Sequence, residues 1–181
     1  EAHNYWQTTF GRNGANNLGG AGDGSWCYSG RTCGYVLTDH IWPTGCPDNA
    51  TYYAAFGEFD FCARTASARD TVGHEYLHAV VWFEFDPHGT EYYGEVGALE
   101  EGSADFFGAA LEHAVTGTTD WHQYPSAASG GRSLINPPSV INQWEGHPYP
   151  DRFGSANMEC DSDDHGGVHD NSTVPSKAFY L

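Results

Sequence analysis

His74-Glu75-Tyr76-Leu77-His78 places two imidazoles and a carboxylate within five residues. In an α-helix, positions four apart stack on one face, so His74 and His78 can each aim a ring nitrogen at one ion. Glu75 is rotated about 100° from His74 around the helix. That rules it out as a third ligand of the same kind but leaves it within reach of a water carried by the ion, where it would act as a general base. Three fixed residues are too few to stand alone, and the pattern calls for a further ligand.

Glu101 answers that need, 23 positions after His78, in the stretch Gly97-Ala98-Leu99-Glu100-Glu101-Gly102-Ser103-Ala104-Asp105-Phe106-Phe107-Gly108. This stretch reads as a second helix. Glu101, Asp105, Gly108 and Glu112 recur at spacings of four, three and four and so share one face. A carboxylate there completes a His, His, Glu set, the donor type of zinc sites that keep a fourth position for water. Asp105, one turn on, is placed to accept a hydrogen bond from a ligating histidine and fix its tautomer. Ala104, Gly108 and Ala109 allow two helices to approach closely. A solvated acidic face is the competing reading of Glu101 and Asp105, and the histidine pair decides against it.

Near the C-terminus runs Asp164-His165-Gly166-Gly167-Val168-His169-Asp170-Asn171-Ser172. The three blocks in this order resemble the thermolysin-like neutral zinc metallopeptidases (peptidase family M4). The resemblance extends from Glu1-Ala2-His3 to the last residue, loosely over the first third. It implies an α+β zincin fold, with a β-rich lobe and a helical lobe meeting at a zinc cleft and most of the C-terminal helical lobe missing from this chain. His74, His78 and Glu101 would ligate zinc, and Glu75 would be the general base. His169 matches the histidine that donates to the transition-state oxyanion, with Asp164 orienting it. Tyr92 matches an assisting tyrosine, with Tyr93 as its neighbouring alternative. Asn49-Ala50 resembles the start of the edge strand that grips substrate backbone, and Arg132 the arginine that binds a substrate carbonyl on the primed side. Asp70, Glu112 and Asp120 fall where the family holds a structural calcium. His122 and Pro125 replace the acids of a second calcium, so at most one ion is expected there. Gly131 and Thr71 occupy positions of the primed-side pocket and suggest a wide, somewhat polar one that takes large aromatics.

The bland readings differ in weight. Tyr92 is one of 11 tyrosines and could serve packing, Arg132 could form a surface ion pair, and Asn49 could end a turn. The other histidines show no ligand spacing.

Composition frames the chemistry. Seven basic against 24 acidic side chains give a net charge of −17, which disfavours nucleic acid and anionic membranes as partners and suits hard cations. Five cysteines in 181 residues, without a CxxC pattern, fit an oxidising compartment and a secreted protein. Of the three connectivities that four cysteines allow, Cys27–Cys33 with Cys46–Cys62 is favoured, leaving Cys160 free or paired outside the chain. No apolar run approaches a membrane span. The start at Glu1, with the single methionine at Met158, suggests a processed product or a fragment.

The expected organisation is one catalytic unit over 1–181. Residues 1–65 form a β-rich part with strands such as Tyr52 to Phe61. Residues 66–181 carry the two helices, long proline-bearing loops from 115 to 160, and a helical end after His169. The functional expectation is a monomeric zinc endopeptidase acting on peptide or protein, with an apolar or aromatic residue on the primed side of the cut and a propeptide or further segment completing the fold. A zinc hydrolase acting on another substrate, a non-catalytic zinc-stabilised binding module and an inactive fragment are the alternatives.

Overall fold

Two long helices carry the ligand positions, and the rest of the chain packs around their contact. The computed structural model describes residues 1–17, 38–42, 49–54, 57–85, 89–124 and 131–181. In chain order the elements are α1 (Ala2–Phe10), β1 (Thr38–Trp42), β2 (Ala50–Tyr53), β3 (Glu58–Cys62), α2 (Arg69–Glu84), α3 (Gly94–Thr116), β4 (His122–Gln123), β5 (Arg132–Ser133), α4 (Asp164–Asn171) and α5 (Thr173–Tyr180). This mixture of helices and short strands is the expected α+β class.

Helix α2 starts with Asp70 in its first turn and α3 with Glu95, both favourable against the positive end of the helix dipole. Helix α3 ends where Gly117 turns left-handed (φ 80) and donates its N–H to the His113 carbonyl at 2.8 Å. Its buried face is built of small residues, Gly97, Ala98, Gly102, Ala104, Gly108 and Ala109, interrupted by Glu101, Asp105 and Leu111. A Cβ built on Gly108 would lie 2.2 Å from the Asp70 carbonyl oxygen, so α2 crosses α3 at a distance only glycine permits. On the same helix, a Cβ on Gly102 would meet the Ser172 carbonyl oxygen at 2.7 Å, where the start of α5 docks. Close contact on these sides fixes the buried carboxylates of α3 relative to α2.

Three strands order as β1-β3-β2, with β1 parallel and β2 antiparallel to β3. Ala50 pairs Phe61 and Tyr52 pairs Phe59, so β2 lies at an edge of the described sheet. The Tyr52 to Phe61 segment, expected as extended, is a hairpin of two strands. Phe59 and Phe61 turn inward onto Tyr76, Leu77 and Val80 of α2 and Leu111 of α3. Burial of these side chains supplies about 1.5–3 kcal/mol each.

The first 65 residues are not strands alone. Helix α1 opens the chain, and its Trp6 ring stacks on Phe107 of α3 at 4.9 Å between centroids. Between α3 and α4 the described residues form the β4–β5 pair, one 3-10 turn at Pro137–Ser139, a bridge from Ile141 to Pro148 and loops, as the prolines suggested. Helix α4 is interrupted at its start: Asp164, His165, Gly166 and Gly167 all have positive φ before the backbone turns helical. No described helix is long and apolar enough to cross a membrane.

Candidate metal centre

His74 and His78 lie one turn apart on α2, their Nε2 atoms 3.2 Å from each other. Glu101 of α3 faces them, with Oε2 3.3 Å from His74 Nε2 and Oε1 3.1 Å from His78 Nε2. Tetrahedral zinc at 2.0–2.1 Å from each donor requires edges of about 3.3 Å between donor atoms. The three contacts, which reach Glu101 through both of its carboxylate oxygens, lie close to that figure.

The tautomers point the same way. His74 Nδ1 meets Asp105 Oδ1 at 3.0 Å and His78 Nδ1 meets Glu100 Oε1 at 2.9 Å. Ionised carboxylates only accept, so each Nδ1 carries a hydrogen and each Nε2 of a neutral ring presents a lone pair. Two lone pairs and a carboxylate then converge on one point. Glu101 is 1% exposed, and its buried Oε2 has no hydrogen-bond partner. Such an arrangement is stable only around positive charge. In its absence the rings take up protons. Burial opposes this for His74, but the charge of Glu101 and the hydrogen bond that His74 gives to Asp105 push it up to about 9. Burial also acts to raise Glu101, yet the fields of His169, His74 and His78 hold it well below the usual carboxylate range. The residues therefore fit a divalent cation, and zinc suits a nitrogen, nitrogen, oxygen donor set.

Around this triangle the polar groups form a second ring. Asp105, fully buried, accepts from Arg132 Nε at 2.9 Å and Arg132 Nη2 at 2.6 Å, and from Ser176 Oγ of α5 at 3.1 Å. Arg132 is thus forked onto Asp105, with Nη2 3.6 Å from Glu101 Oε2. Tyr92 donates its hydroxyl to Glu101 Oε1 at 2.5 Å and lies 3.4 Å from His169 Nε2. Burial and the Glu101 charge push that phenol far above its ordinary range, so it stays a proton donor. Tyr93, the alternative, is half-exposed. Asp164 takes the His169 backbone N–H on Oδ2 at 2.8 Å and His169 Nδ1 on Oδ1 at 2.5 Å. The left-handed turn through Gly166 and Gly167 folds the chain back so that one carboxylate can do both.

A cleft of about 380 Å3 opens in front of the triangle. Asn49 and Ala50 line one side; His74, Glu75, Tyr92 and His169 line the other. Asn49 gives its carbonyl to Thr65 Oγ1 at 2.8 Å and to the Cys62 N–H at 3.0 Å, which pins the start of β2. His74, His78, Glu101, Glu75, Tyr92, His169, Asn49 and Ala50 all line the cleft, while Asp105 and Arg132 stand behind the triangle and Asp164 behind His169.

Other expectations fare differently. Asp70 is buried and accepts the N–H groups of Thr71 at 2.8 Å and Tyr124 at 2.5 Å. Burial raises its pKa and the nearby charge of Asp120 adds to this. Asp70, Glu112 and Asp120 do not converge as a donor set among the described residues. Gly131 leaves no open space. It has φ +67, and a Cβ there would strike the Gln123 and Tyr124 carbonyl oxygens at 2.3 and 2.5 Å, so its small size serves the approach of β4 to β5. Thr71 is buried, and neither residue lines the cleft. Cys160 is exposed and free, while Cys27, Cys33 and Cys46 lie outside the described residues, as does Pro125.

Glu100, Thr90 and Ser176 were not anticipated. Glu100 could have been found from its place beside Glu101, since neighbouring helical side chains diverge by about 100° and can reach two histidines on a facing helix. Ser176 carries no such signal. A second convergence joins Glu145, His147 and Glu159. There both ring nitrogens are already used, Nε2 by Glu159 at 2.7 Å and Nδ1 by the Pro148 carbonyl at 3.1 Å, as in an imidazolium ion pair.

Comparison with known proteins finds relatives of both sequence and fold. Residues 89–181, just over half the chain, match the family model described as "Thermolysin metallopeptidase, alpha-helical domain". Neutral protease B of Bacillus subtilis (strain 168) is 35% identical over 118 residues, 62% of this chain and 19% of that protein. Thermolysin of Alicyclobacillus acidocaldarius is 31% identical over 117 residues, again 62% of this chain and 19% of the relative. Bacillolysin of Bacillus cereus is 25% identical across 100% of this chain and 29% of its own length. The chain thus spans less than a third of these curated relatives. A solved structure, the precursor of protealysin, a metalloproteinase from Serratia proteamaculans, shares the fold with a TM-score of 0.76 at 24% identity. That likeness covers 99% of this chain and 55% of the other. On these grounds the chain belongs to the thermolysin metallopeptidase family.

Proposed function

We propose that this chain is the catalytic unit of a secreted, zinc-dependent endopeptidase. The observation that carries the reading is the triangle of His74, His78 and Glu101, facing a cleft whose wall includes Glu75. A zinc ion held there would supply Lewis-acid charge that polarises a carbonyl and acidifies water.

The protein groups divide the remaining work. Glu75 takes a proton from the attacking water and returns it to the leaving amine. Tyr92 and His169 donate to the oxygen of the scissile carbonyl as it gains charge, an interaction stronger in the transition state than before it. Asp164 accepts a hydrogen bond from His169 Nδ1 and favours the doubly protonated ring, so that Nε2 carries the hydrogen it donates to the substrate oxygen. Asp105 and Arg132 hold His74 in register. Substrate lies extended along Asn49 and Ala50, adding an antiparallel strand to β2 at the edge of the described sheet, with an apolar or aromatic residue just after the cut. Arg132 also has guanidinium donors beyond those given to Asp105, which suit a substrate carbonyl.

Further parts of the proposal rest on chemistry around the site. One calcium ion near Asp70 and Asp120 would relieve their mutual repulsion, with Glu112 as a third acid. A Cys46–Cys62 disulfide would brace the start of β2, and Cys27–Cys33 a short turn, consistent with secretion. The solved relative is a precursor, which supports a propeptide or further segment as a partner of this chain.

Hydrolysis of an internally quenched peptide by the 181-residue chain, with and without chelator, is the test. Activity lost to chelator and restored by zinc, and absent from a Glu75→Gln chain that still holds zinc, is expected. A chain that loads zinc but cleaves no peptide would favour a binding module or an inactive fragment, and a chain that loads no zinc would overturn the proposal.

A further inference from the structure

The two ligating histidines are supported unequally. Asp105, behind His74, is neutralised by the Arg132 fork and held by Ser176. Glu100, behind His78, shows two partners among the described residues: His78 Nδ1 on Oε1 at 2.9 Å, and the hydroxyl of Thr90, which donates to Oε2. Both Glu100 and His78 are close to buried, with side chains 10% and 13% exposed. Glu100 thus places a full carboxylate charge directly behind one ligand. Its second oxygen is tied to the loop that follows α2.

That loop is itself anchored. Gly89 donates its N–H to the Phe85 carbonyl at the end of α2 at 2.8 Å, and its left-handed backbone (φ +82) packs on the Trp82 ring. Trp82, Gly89 and Thr90 line the same cleft as the metal ligands. The connections close a circuit: α2 through Gly89 to Thr90, Thr90 to Glu100 of α3, and Glu100 back to His78 of α2.

We infer that Glu100 and Thr90 form a positioning pair for the metal centre, fixing the His78 ring and tautomer and coupling metal retention to the Gly89–Thr90 wall of the cleft. Neither residue touches the ion. Glu100 acts through His78, and Thr90 acts through Glu100. Carboxylates and carbonyls behind metal-bound imidazoles raise ligand basicity, and their loss typically weakens metal binding by roughly 10–100-fold. The inference rests on the zinc reading above, and its test separates the two.

Zinc affinity and release rate would be measured by competition with a chromophoric chelator, on the 181-residue chain and on its Glu100→Ala, Glu100→Gln, Thr90→Val and His74→Ala forms. Folding of each would be checked by circular dichroism. Glu100→Ala is expected to bind zinc roughly 10–100-fold more weakly. Glu100→Gln should recover part of that loss, because its amide oxygen can still accept from Nδ1 without the charge. Thr90→Val should release zinc several-fold faster while the donor triangle is chemically intact. If Glu100→Ala fails to fold, Thr90→Val and Glu100→Gln decide. Folded variants that hold zinc within two-fold of the parent would overturn the pair. A parent chain that binds no zinc, or no better than His74→Ala, would instead remove the zinc reading beneath it.

Discussion

Replacing Gly108 by alanine tests whether the close crossing of α2 and α3 sets the ligand geometry. The added Cβ would lie 2.2 Å from the Asp70 carbonyl oxygen, whereas ordinary contact begins near 3.4 Å. That oxygen belongs to the backbone of α2 and cannot swing aside, so the helices must part by about 1.2 Å at this level. Overpacking of this kind costs about 1–3 kcal/mol, offset by up to about 1 kcal/mol from removing a glycine inside a helix. The net is a loss of up to about 2 kcal/mol, or a fall in Tm of up to roughly 8 °C for a chain of this size. Glu101 sits seven positions earlier, about 10 Å along the axis, so the triangle receives only part of the displacement. Even a quarter of it exceeds the tolerance of about 0.2 Å that zinc sites allow in donor distances. Thermal unfolding of the metal-free chain and chelator competition for zinc would read the two effects, with zinc affinity expected to fall at least ten-fold. A Gly108→Ala chain that keeps both its Tm and its zinc affinity would show that the crossing does not position Glu101.

Three further outcomes follow from the same geometry. His169→Ala should retain zinc but lose roughly 10²–10³-fold in kcat on a quenched peptide, as for removal of one oxyanion donor, and unchanged turnover would exclude that role. Arg132→Gln leaves Asp105 buried without its cation, and denaturant unfolding should register a loss of about 3–5 kcal/mol; a change under 1 kcal/mol would contradict the pairing. In the metal-free chain, His74 is pushed up to about 9 from an ordinary 6.5, so folding favours its protonated form. That stabilisation is complete below about pH 6.5 and is lost as pH rises through about 9, so the metal-free Tm should fall across this window. Zinc-loaded protein should not show the fall, because ligation requires the neutral ring; parallel melting curves would refute this.

The sequence was most readable where helical periodicity and chemistry coincide. His74 and His78 share a face by their spacing of four, and Glu101 and Asp105 by theirs, so one ligand face and its support followed from a single helix geometry. Glu100 was passed over because a face argument looks four residues away, while it reaches His78 from the adjacent position across the helix pair. Helix α1 escaped notice because Glu1 makes no side-chain capping bond and no acid marks the first turn. Its order comes from Trp6 packing on Phe107, a contact just over one hundred residues away in the chain. Gly131 is a related case. A missing side chain looks like open space in a sequence, but in the fold two carbonyl oxygens fill it. Asp70 likewise carries no sequence sign that its two oxygens accept backbone N–H groups.

The central question is where zinc binds, and anomalous diffraction at the zinc edge on crystals of the loaded chain answers it directly. The expected result is one strong peak within about 2.0–2.1 Å of His74 Nε2, His78 Nε2 and a carboxylate oxygen of Glu101. A peak at Glu145, His147 and Glu159 instead, or a zinc ion that Glu101 does not contact, would contradict it.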